Sequence, residues 1–213
     1  MKLRILLVDD HQMFRDALRS LLGKAPNLEI VGETGNGLEV VNLARETAPD
    51  VVCMDIGMPG MNGIETTRRL VAARPGIKVI ALSAYSDQRF VVDMMRAGAS
   101  AYVTKGEAGD ELLRAIDAVR QNRKYFGPAV ANVVAGALSG DGDQGELYAR
   151  IGARERQVLQ LVAEGHTSAQ IGDRLHIAAS TVEVHRRNIM RKLNKHSVAE
   201  LTRYAIQSGL APS

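Results

Sequence analysis

Val51-Val52-Cys53-Met54-Asp55-Ile56-Gly57-Met58-Pro59-Gly60-Met61-Asn62-Gly63 decides the fold. Four apolar residues run without alternation into a carboxylate, and glycine, proline and asparagine then turn the chain. Such a run suits a strand covered on both faces, as in a parallel sheet flanked by helices. Outward from it lie other short β-rich runs: Leu3–Val8, Leu28–Val31, Val79–Leu82 and Ala101–Val103. Between them apolar residues recur at three and four: Phe14, Leu18, Leu21 and Leu22; Val40, Val41 and Ala44; Ile64, Thr67, Leu70 and Val71; Phe90, Val91, Met94 and Met95. A last set is Leu112, Leu113, Ile116 and Val119. The pattern is five β-α units.

Right-handed crossovers leave few ways to connect five such units. The expected fold of residues 1–125 is α/β, a flavodoxin-like, five-stranded, doubly wound parallel sheet. Residues 126–149 read as a linker. Gly136, Gly140, Gly142 and Gly145 carry most of that reading, and a short helical extension is expected over 128–134. From Ile151 onward strand-like alternation is absent. Four helices are expected at about 153–164, 168–175, 181–194 and 197–208. Thr167-x-x-Gln170 and Ser180-x-x-Glu183 have capping-box form, and Gly165 and Gly209 stand at helix ends. Residues 150–213 thus read as a small all-α, four-helix helix-turn-helix domain.

Composition narrows the class. The chain has 213 residues, 46% hydrophobic and 24% charged, which excludes a mostly disordered chain. Its apolar runs fall far short of the roughly 18 residues a membrane span needs. The N-terminal run meets Asp9 and Asp10 too early for a signal-peptide core. Cys53 is the single cysteine and excludes an internal disulfide. The expected location is the cytoplasm, with no membrane partner. The net charge of +3 conceals a division. Residues 1–128 carry 17 basic and 16 acidic side chains, residues 129–149 three acids and no base, and residues 150–213 ten bases and five acids.

In doubly wound sheets ligands sit at the carboxyl ends of the strands. Those ends carry a consistent chemistry here. The first strand exits into Asp9-Asp10, the third ends at Asp55, the fourth at Ser83, and the fifth exits into Thr104-Lys105. Three carboxylates in one cleft either bind a hard cation or raise a pKa. Mg²⁺ suits an all-oxygen site that also meets a phosphate. A carboxylate can attack phosphorus, and lysine and a hydroxyl can hold phosphoryl oxygens. The set reads as Mg²⁺-dependent phosphoryl transfer to an aspartate. Gly32-x-x-Gly35-x-Gly37 follows the second strand and reads as turn chemistry rather than a nucleotide loop. His11 reads as a solvent-facing polar residue. Cys53, Met58, Met61, Met94 and Met95 read as packing.

Residues 181–193 form a second constellation. At about 100° per residue Val182, Ile189 and Leu193 share one side, flanked by His185 and Arg186. Val184, Arg187, Asn188 and Arg191 face away, with Lys195 beyond and Glu183 and Lys192 at the edges. Arginine, asparagine and an apolar group match guanine, adenine and a thymine methyl in the major groove. The helix start and Thr181 offer donors to a phosphate.

The first domain resembles a bacterial two-component (CheY-like) receiver. The residues that carry the likeness are Val8-Asp9-Asp10-His11, Met54 through Gly63, Ala81-Leu82-Ser83-Ala84 and Tyr102-Val103-Thr104-Lys105. The resemblance implies that Asp55 accepts a phosphoryl group from a sensor histidine kinase. It further implies that Asp9, Asp10, Asp55 and the Gly57 backbone carbonyl hold Mg²⁺. Ser83 and Lys105 would bind phosphoryl oxygens, and Tyr102 would be the switching aromatic. The second domain resembles the NarL/FixJ (LuxR-type) DNA-binding domain through Ala153-Arg154-Glu155, Val158-Leu159, Ile171, Leu175, Thr181-Val182, His185, Ile189 and Lys192-Leu193. That resemblance implies a recognition helix in the major groove and a homodimer on an inverted repeat of double-stranded DNA. Gly152 and Ala178 stand where the family has capping Thr and Ser, and Gly172 where it has Ala. Ser180 could cap in place of Ala178, so Glu183 serves either that cap or a base.

The expected function is a phosphorylation-controlled, DNA-binding transcriptional regulator, not an enzyme beyond its own phosphoryl transfer and dephosphorylation. Two alternatives stand beside it. In one the receiver only dimerises, without phosphorylation. The other is a stand-alone phosphatase or nucleotide hydrolase, for which the chain offers neither a P-loop nor an obvious base.

Overall fold

The computed structural model describes residues 2–84, 88–131, 151–207 and 210–211. The chain separates into two compact units, Met1–Asp141 and Gly142–Ser213. No helix among the described residues is long and apolar enough to cross a membrane.

The first unit alternates β1 (Leu3–Val8), α1 (Gln12–Leu22), β2 (Leu28–Thr34), α2 (Val40–Thr47), β3 (Val51–Asp55), α3 (Gly63–Ala73), β4 (Lys78–Ser83), α4 (Gln88–Ala97), β5 (Ala101–Thr104) and α5 (Asp110–Arg120). All strand pairings are parallel, in the order β2-β1-β3-β4-β5, as a doubly wound sheet requires. A sixth strand, β6 (Tyr125–Phe126), pairs with β5 through Ala101↔Tyr125 and Tyr102↔Phe126. The five-strand expectation missed it because two residues carry no periodicity. Physically it covers part of an edge whose N–H and C=O groups would otherwise lie open. It also corrects the linker boundary. Phe126 belongs to the sheet and residues 128–131 are helical, so the ordered unit runs past 125. The remaining linker residues, 132–149, lie outside the described residues.

Alternation along each strand divides the core. Ile5, Leu7, Val51, Cys53, Ile80, Leu82, Ala101 and Val103 face α1 and α5, meeting Leu18, Leu22, Leu112, Ile116 and Val119. The intervening Leu6, Val8, Val52, Met54, Val79, Ala81 and Tyr102 are equally buried on the other face. This double burial explains the uninterrupted apolar runs.

Register then fixes the cleft. Val8 pairs with Met54, Asp55 with Leu82 and Ser83 with Thr104. Asp9, Asp55, Ser83 and Lys105 must therefore leave the sheet side by side. Of the three glycines read as turn residues, Gly32 lies inside β2, Gly35 at a bend and Gly37 in a turn, all without left-handed backbone, and Gly35 and Gly37 are closely packed as well. A Cβ on Gly37 would lie 2.5 Å from the Met61 carbonyl oxygen and 2.6 Å from Thr66 Oγ1, and one on Gly35 would lie 3.3 Å from Asp10 Cα. Their role is close approach, which periodicity does not reveal.

The second unit contains α6 (Ala153–Ala163), α7 (Ser168–Leu175), α8 (Ala179–Leu193) and α9 (Val198–Gln207). Val158, Leu159, Leu161, Val162, Ile171, Leu175, Val182, Ile189, Leu193, Leu201 and Ala205 form its core. Thr167 caps α7, accepting from the Gln170 N–H while Gln170 accepts from the Thr167 N–H. Gly165 follows α6 with φ +85°, as its terminal role requires. Gly209 lies outside the described residues.

Gly63 opens α3 directly against β3. A Cβ there would overlap the Asp55 carbonyl group and lie 2.9 Å from Ile56 Cα. All of these are backbone atoms that cannot swing aside. Gly63→Ala is expected to destabilise the first unit by about 1–3 kcal/mol, measured by urea denaturation; an unchanged midpoint would show that α3 can retreat from β3.

Candidate phosphoryl-transfer and DNA-binding sites

The strand exits gather the carboxylates as expected. Asp9 and Asp55 are buried and Asp10 is partly exposed. With His11, they offer ligand atoms within 4.8 Å of one another. Lys105 reaches between the two buried acids, its Nζ 2.7 Å from Asp9 Oδ2 and 3.0 Å from Asp55 Oδ2. The Gly57 N–H donates to Asp55 Oδ1 at 3.3 Å. Ser83 is buried at the end of β4, in register with Thr104 on the next strand. Tyr102 is fully buried on β5, two residues before Thr104.

The electrostatics follow from this crowding. Burial, and then the neighbouring Asp9 charge, push the Asp55 carboxyl from its ordinary 3.8 up to about 6, against the pull of Lys105 and the Gly57 N–H. Burial alone would lower Lys105, but its contacts with Asp9 and Asp55 outweigh that and raise it. The donor set fits a hard cation: three carboxylates around a point where an ammonium already supplies positive charge. Cys53 is different in kind. Burial pushes its thiol up to about 12, in keeping with a core residue.

Three neighbours of the cleft have contacts that the sequence reading did not show. His11 Nδ1 lies 2.9 Å from Asp10 Oδ1 and 3.3 Å from Asp9 Oδ1, so the ring sits against the acids although it is well exposed. Arg15 Nη1 donates to the Asp9 carbonyl, and its Nε lies 3.4 Å from Glu33. The Phe14 ring centroid lies 4.8 Å from Lys105 Nζ. Phe14 was legible as an apolar position on α1, but nothing local shows that residue 105 folds onto it.

In the second unit, α8 buries Val182, Ile189 and Leu193 and exposes Thr181, Val184, Arg187 and Arg191. Asn188 is half-buried and accepts from Arg191 at 3.2 Å. The capping expectation for this helix is corrected. α8 starts at Ala179 after Ala178, which offers no side-chain cap, and Ser180 already lies in the first turn. Glu183 instead accepts from Ser168 Oγ and pairs with Arg186 at 3.0 Å, tying α8 to α7. Lys192 pairs with Glu155 at 2.7 Å. The same carboxylate accepts from the Gly152 N–H at 2.7 Å, the half of a capping box that a glycine permits. These two partners hold Glu155 below the usual carboxylate range despite burial. Lys195 Nζ stands 6.0 Å from the Tyr204 ring centroid. Gly172 also finds its reason, since a Cβ there would lie 2.7 Å from the Ile177 carbonyl oxygen in the turn leading to α8.

Residues 5–117 match the response regulator receiver domain, and residues 150–205 match the bacterial regulatory proteins of the luxR family. The chain is 33% identical to the response regulator GacA of Pseudomonas aeruginosa, over 98% of this chain and 97% of that protein. It is 35% identical to the transcriptional regulatory protein LiaR of Bacillus subtilis, over 98% and 99%. RcsB from Salmonella enterica serovar Typhimurium, solved bound to a promoter with the phosphomimetic BeF3−, shares the fold with a TM-score of 0.63 at 21% identity, over 99% and 100%. Fold and family models together define a receiver joined to a LuxR-type DNA-binding domain. The chain belongs to the two-component response regulators of the NarL/FixJ family. Membership implies a sensor kinase as partner.

The raised Asp55 pKa has a measurable sign. Between 3.8 and about 6 the folded state holds more protons than the unfolded chain, so stability falls as pH rises through that window. Asp55→Asn should therefore stabilise the first unit by about 1–3 kcal/mol at pH 7.5 in metal-free buffer, a gain that shrinks toward pH 4. Urea denaturation across that range tests it; equal stability of the two proteins at pH 7.5 would contradict the cost of burying the Asp55 charge beside Asp9.

Proposed function

We propose that this protein is a cytoplasmic transcriptional regulator whose DNA binding is controlled by phosphorylation of Asp55. The observation that carries the proposal is the convergence of Asp9, Asp55 and Lys105 within 3.0 Å contacts at the strand exits. A carboxylate oxygen of Asp55 bonds to the phosphorus of a kinase phosphohistidine as the P–N bond breaks, and the imidazole keeps the electron pair. Asp9, Asp10 and Asp55, with the Gly57 carbonyl, would hold Mg²⁺. When bound, it supplies charge neutralisation to the phosphoryl oxygens. Lys105 and Ser83 meet those oxygens as an ammonium and a hydroxyl donor. Drawing them toward the phosphoryl group moves the ends of β4 and β5, where Tyr102 is packed. Its burial suits a residue that reports such a movement. The chain acts as an enzyme only toward its own phosphoryl group.

Phosphorylation shifts the receiver between conformations, and the favoured one promotes dimerisation. Two linked DNA-binding domains then gain affinity for an inverted repeat through effective concentration. Arg187 and Val184, exposed on α8, read base edges, as does Asn188. Thr181, Arg191 and Lys195 meet phosphates. Glu183 and Lys192 act through their partners Ser168, Arg186 and Glu155 by fixing the helix. The DNA-bound state of RcsB, a protein of the same fold, supports this use of the second domain. A receiver that only dimerises has no need of the carboxylate set, which favours phosphoryl control over that reading.

Treating the protein with a small phosphodonor and Mg²⁺ should add one phosphoryl mass by intact mass spectrometry, and Asp55→Asn should abolish the adduct. No adduct on the unmodified protein, or an unchanged one on the variant, would overturn the assignment. Contact roles separate by salt. Lys195→Gln should flatten the dependence of affinity on salt by roughly 0.9 in log–log slope per lost phosphate contact. Lys192→Gln should leave the slope intact and lower the thermal stability of the second unit. Arg187→Ala should lose more affinity on the selected site than on random DNA, and equal losses on both would remove its base-reading role.

A further inference from the structure

Lys105 is held by three groups, only two of which the receiver chemistry uses. Asp9 and Asp55 contact its ammonium at 2.7 and 3.0 Å. The third is the Phe14 ring from the first turn of α1, with its centroid 4.8 Å away, inside the roughly 6 Å reach of a cation–π attraction. The Lys105 side chain is only 17% exposed, so little water screens that attraction. Phe14 is partly buried against the α1–α5 core, which limits how far its ring can move from the ammonium.

We propose that Phe14 is a positioning residue that sets how firmly Lys105 is seated on Asp9, and thereby how readily the cleft accepts a divalent cation. The inference rests on the reading of Asp9, Asp10 and Asp55 as the cation-holding carboxylates. Asp9 Oδ2 is claimed by Lys105 and Oδ1 already accepts from the His11 N–H at 2.9 Å, so a cation that takes Oδ2 competes with the ammonium for it. Any group that stabilises the seated lysine weakens cation binding by the same factor. Phe14 is such a group, and it touches neither carboxylate chemistry nor a phosphoryl group. The aromatic therefore tunes the cation affinity of the site from the α1 side, separately from the carboxylates themselves. A merely structural Phe14 would alter stability without this dependence on Lys105.

The test replaces Phe14 with 3,4,5-trifluorophenylalanine in the full chain, which keeps the ring's shape and removes most of its attraction for a cation. Mg²⁺ is titrated while the backbone amides near Asp55 are followed by NMR. The Mg²⁺ Kd should fall about two- to tenfold on fluorination, and Phe14→Tyr should retain the unmodified value. In a Lys105→Met background, fluorination should leave the Kd unchanged. An unaltered Kd in the Lys105 protein, or an equal change in both backgrounds, overturns the role of Phe14. Failure of the unmodified protein to bind Mg²⁺ overturns the reading of the carboxylates, and the inference with it.

Discussion

Carboxylates crowded at one end of a parallel sheet repel one another, and the receiver is organised around that repulsion. Asp9 and Asp55 are both buried, and the cost shows as an Asp55 carboxyl raised to about 6. Lys105, at the exit of β5, offsets part of it by bridging the two acids. The pocket is thus poised for additional positive charge. On the proposed reading a divalent cation would neutralise the same carboxylates, and a phosphoryl group on Asp55 would give Lys105 a new partner. Changes in charge at this point reach the ends of four strands together, because register holds those ends side by side.

The second unit uses charge differently. Over residues 150–213 ten basic side chains outnumber five acids, yet not all of them face outward for a partner. Arg186 is spent on Glu183 and, with it, on Ser168 of α7, and Lys192 on Glu155 of α6, so both hold α8 to its neighbours. Arg187, Arg191 and Thr181 remain exposed on the opposite face. A recognition helix needs both sets, since exposed cations contact a groove productively only when the helix axis is fixed. Gly152 and Ala178 supply no capping side chain, and Glu155 satisfies the Gly152 N–H while holding Lys192.

Much of this was legible in the chain. Burial on both faces wrote the strands as apolar runs, and the polar residue at each run's end marked the cleft, so Asp9, Asp55, Ser83 and Lys105 could be read in order. What escaped depended on distance in sequence or on the backbone. Phe14 and Lys105 meet only because α1 and the end of β5 border the same cleft. Gly35 and Gly37 were legible as turn residues, but not their close approach to backbone from other segments. β6 is two residues long and leaves no pattern. Ser180-x-x-Glu183 matched a capping box in form, but α8 begins one residue before Ser180, and Glu183 found a stronger partner in Ser168 across the turn. Local motifs thus located chemistry well and caps less well, since a cap depends on where the helix begins.

The central claim is that a phosphoryl group on Asp55 raises the affinity of the second domain for DNA. Selection of bound sequences from a random library, with the protein phosphorylated and unphosphorylated, tests it most directly when followed by affinity measurements at one fixed salt concentration. The account predicts an inverted repeat recovered mainly by the phosphorylated protein, with tighter binding that Asp55→Asn abolishes. Equal recovery and equal affinity with and without phosphorylation would contradict it.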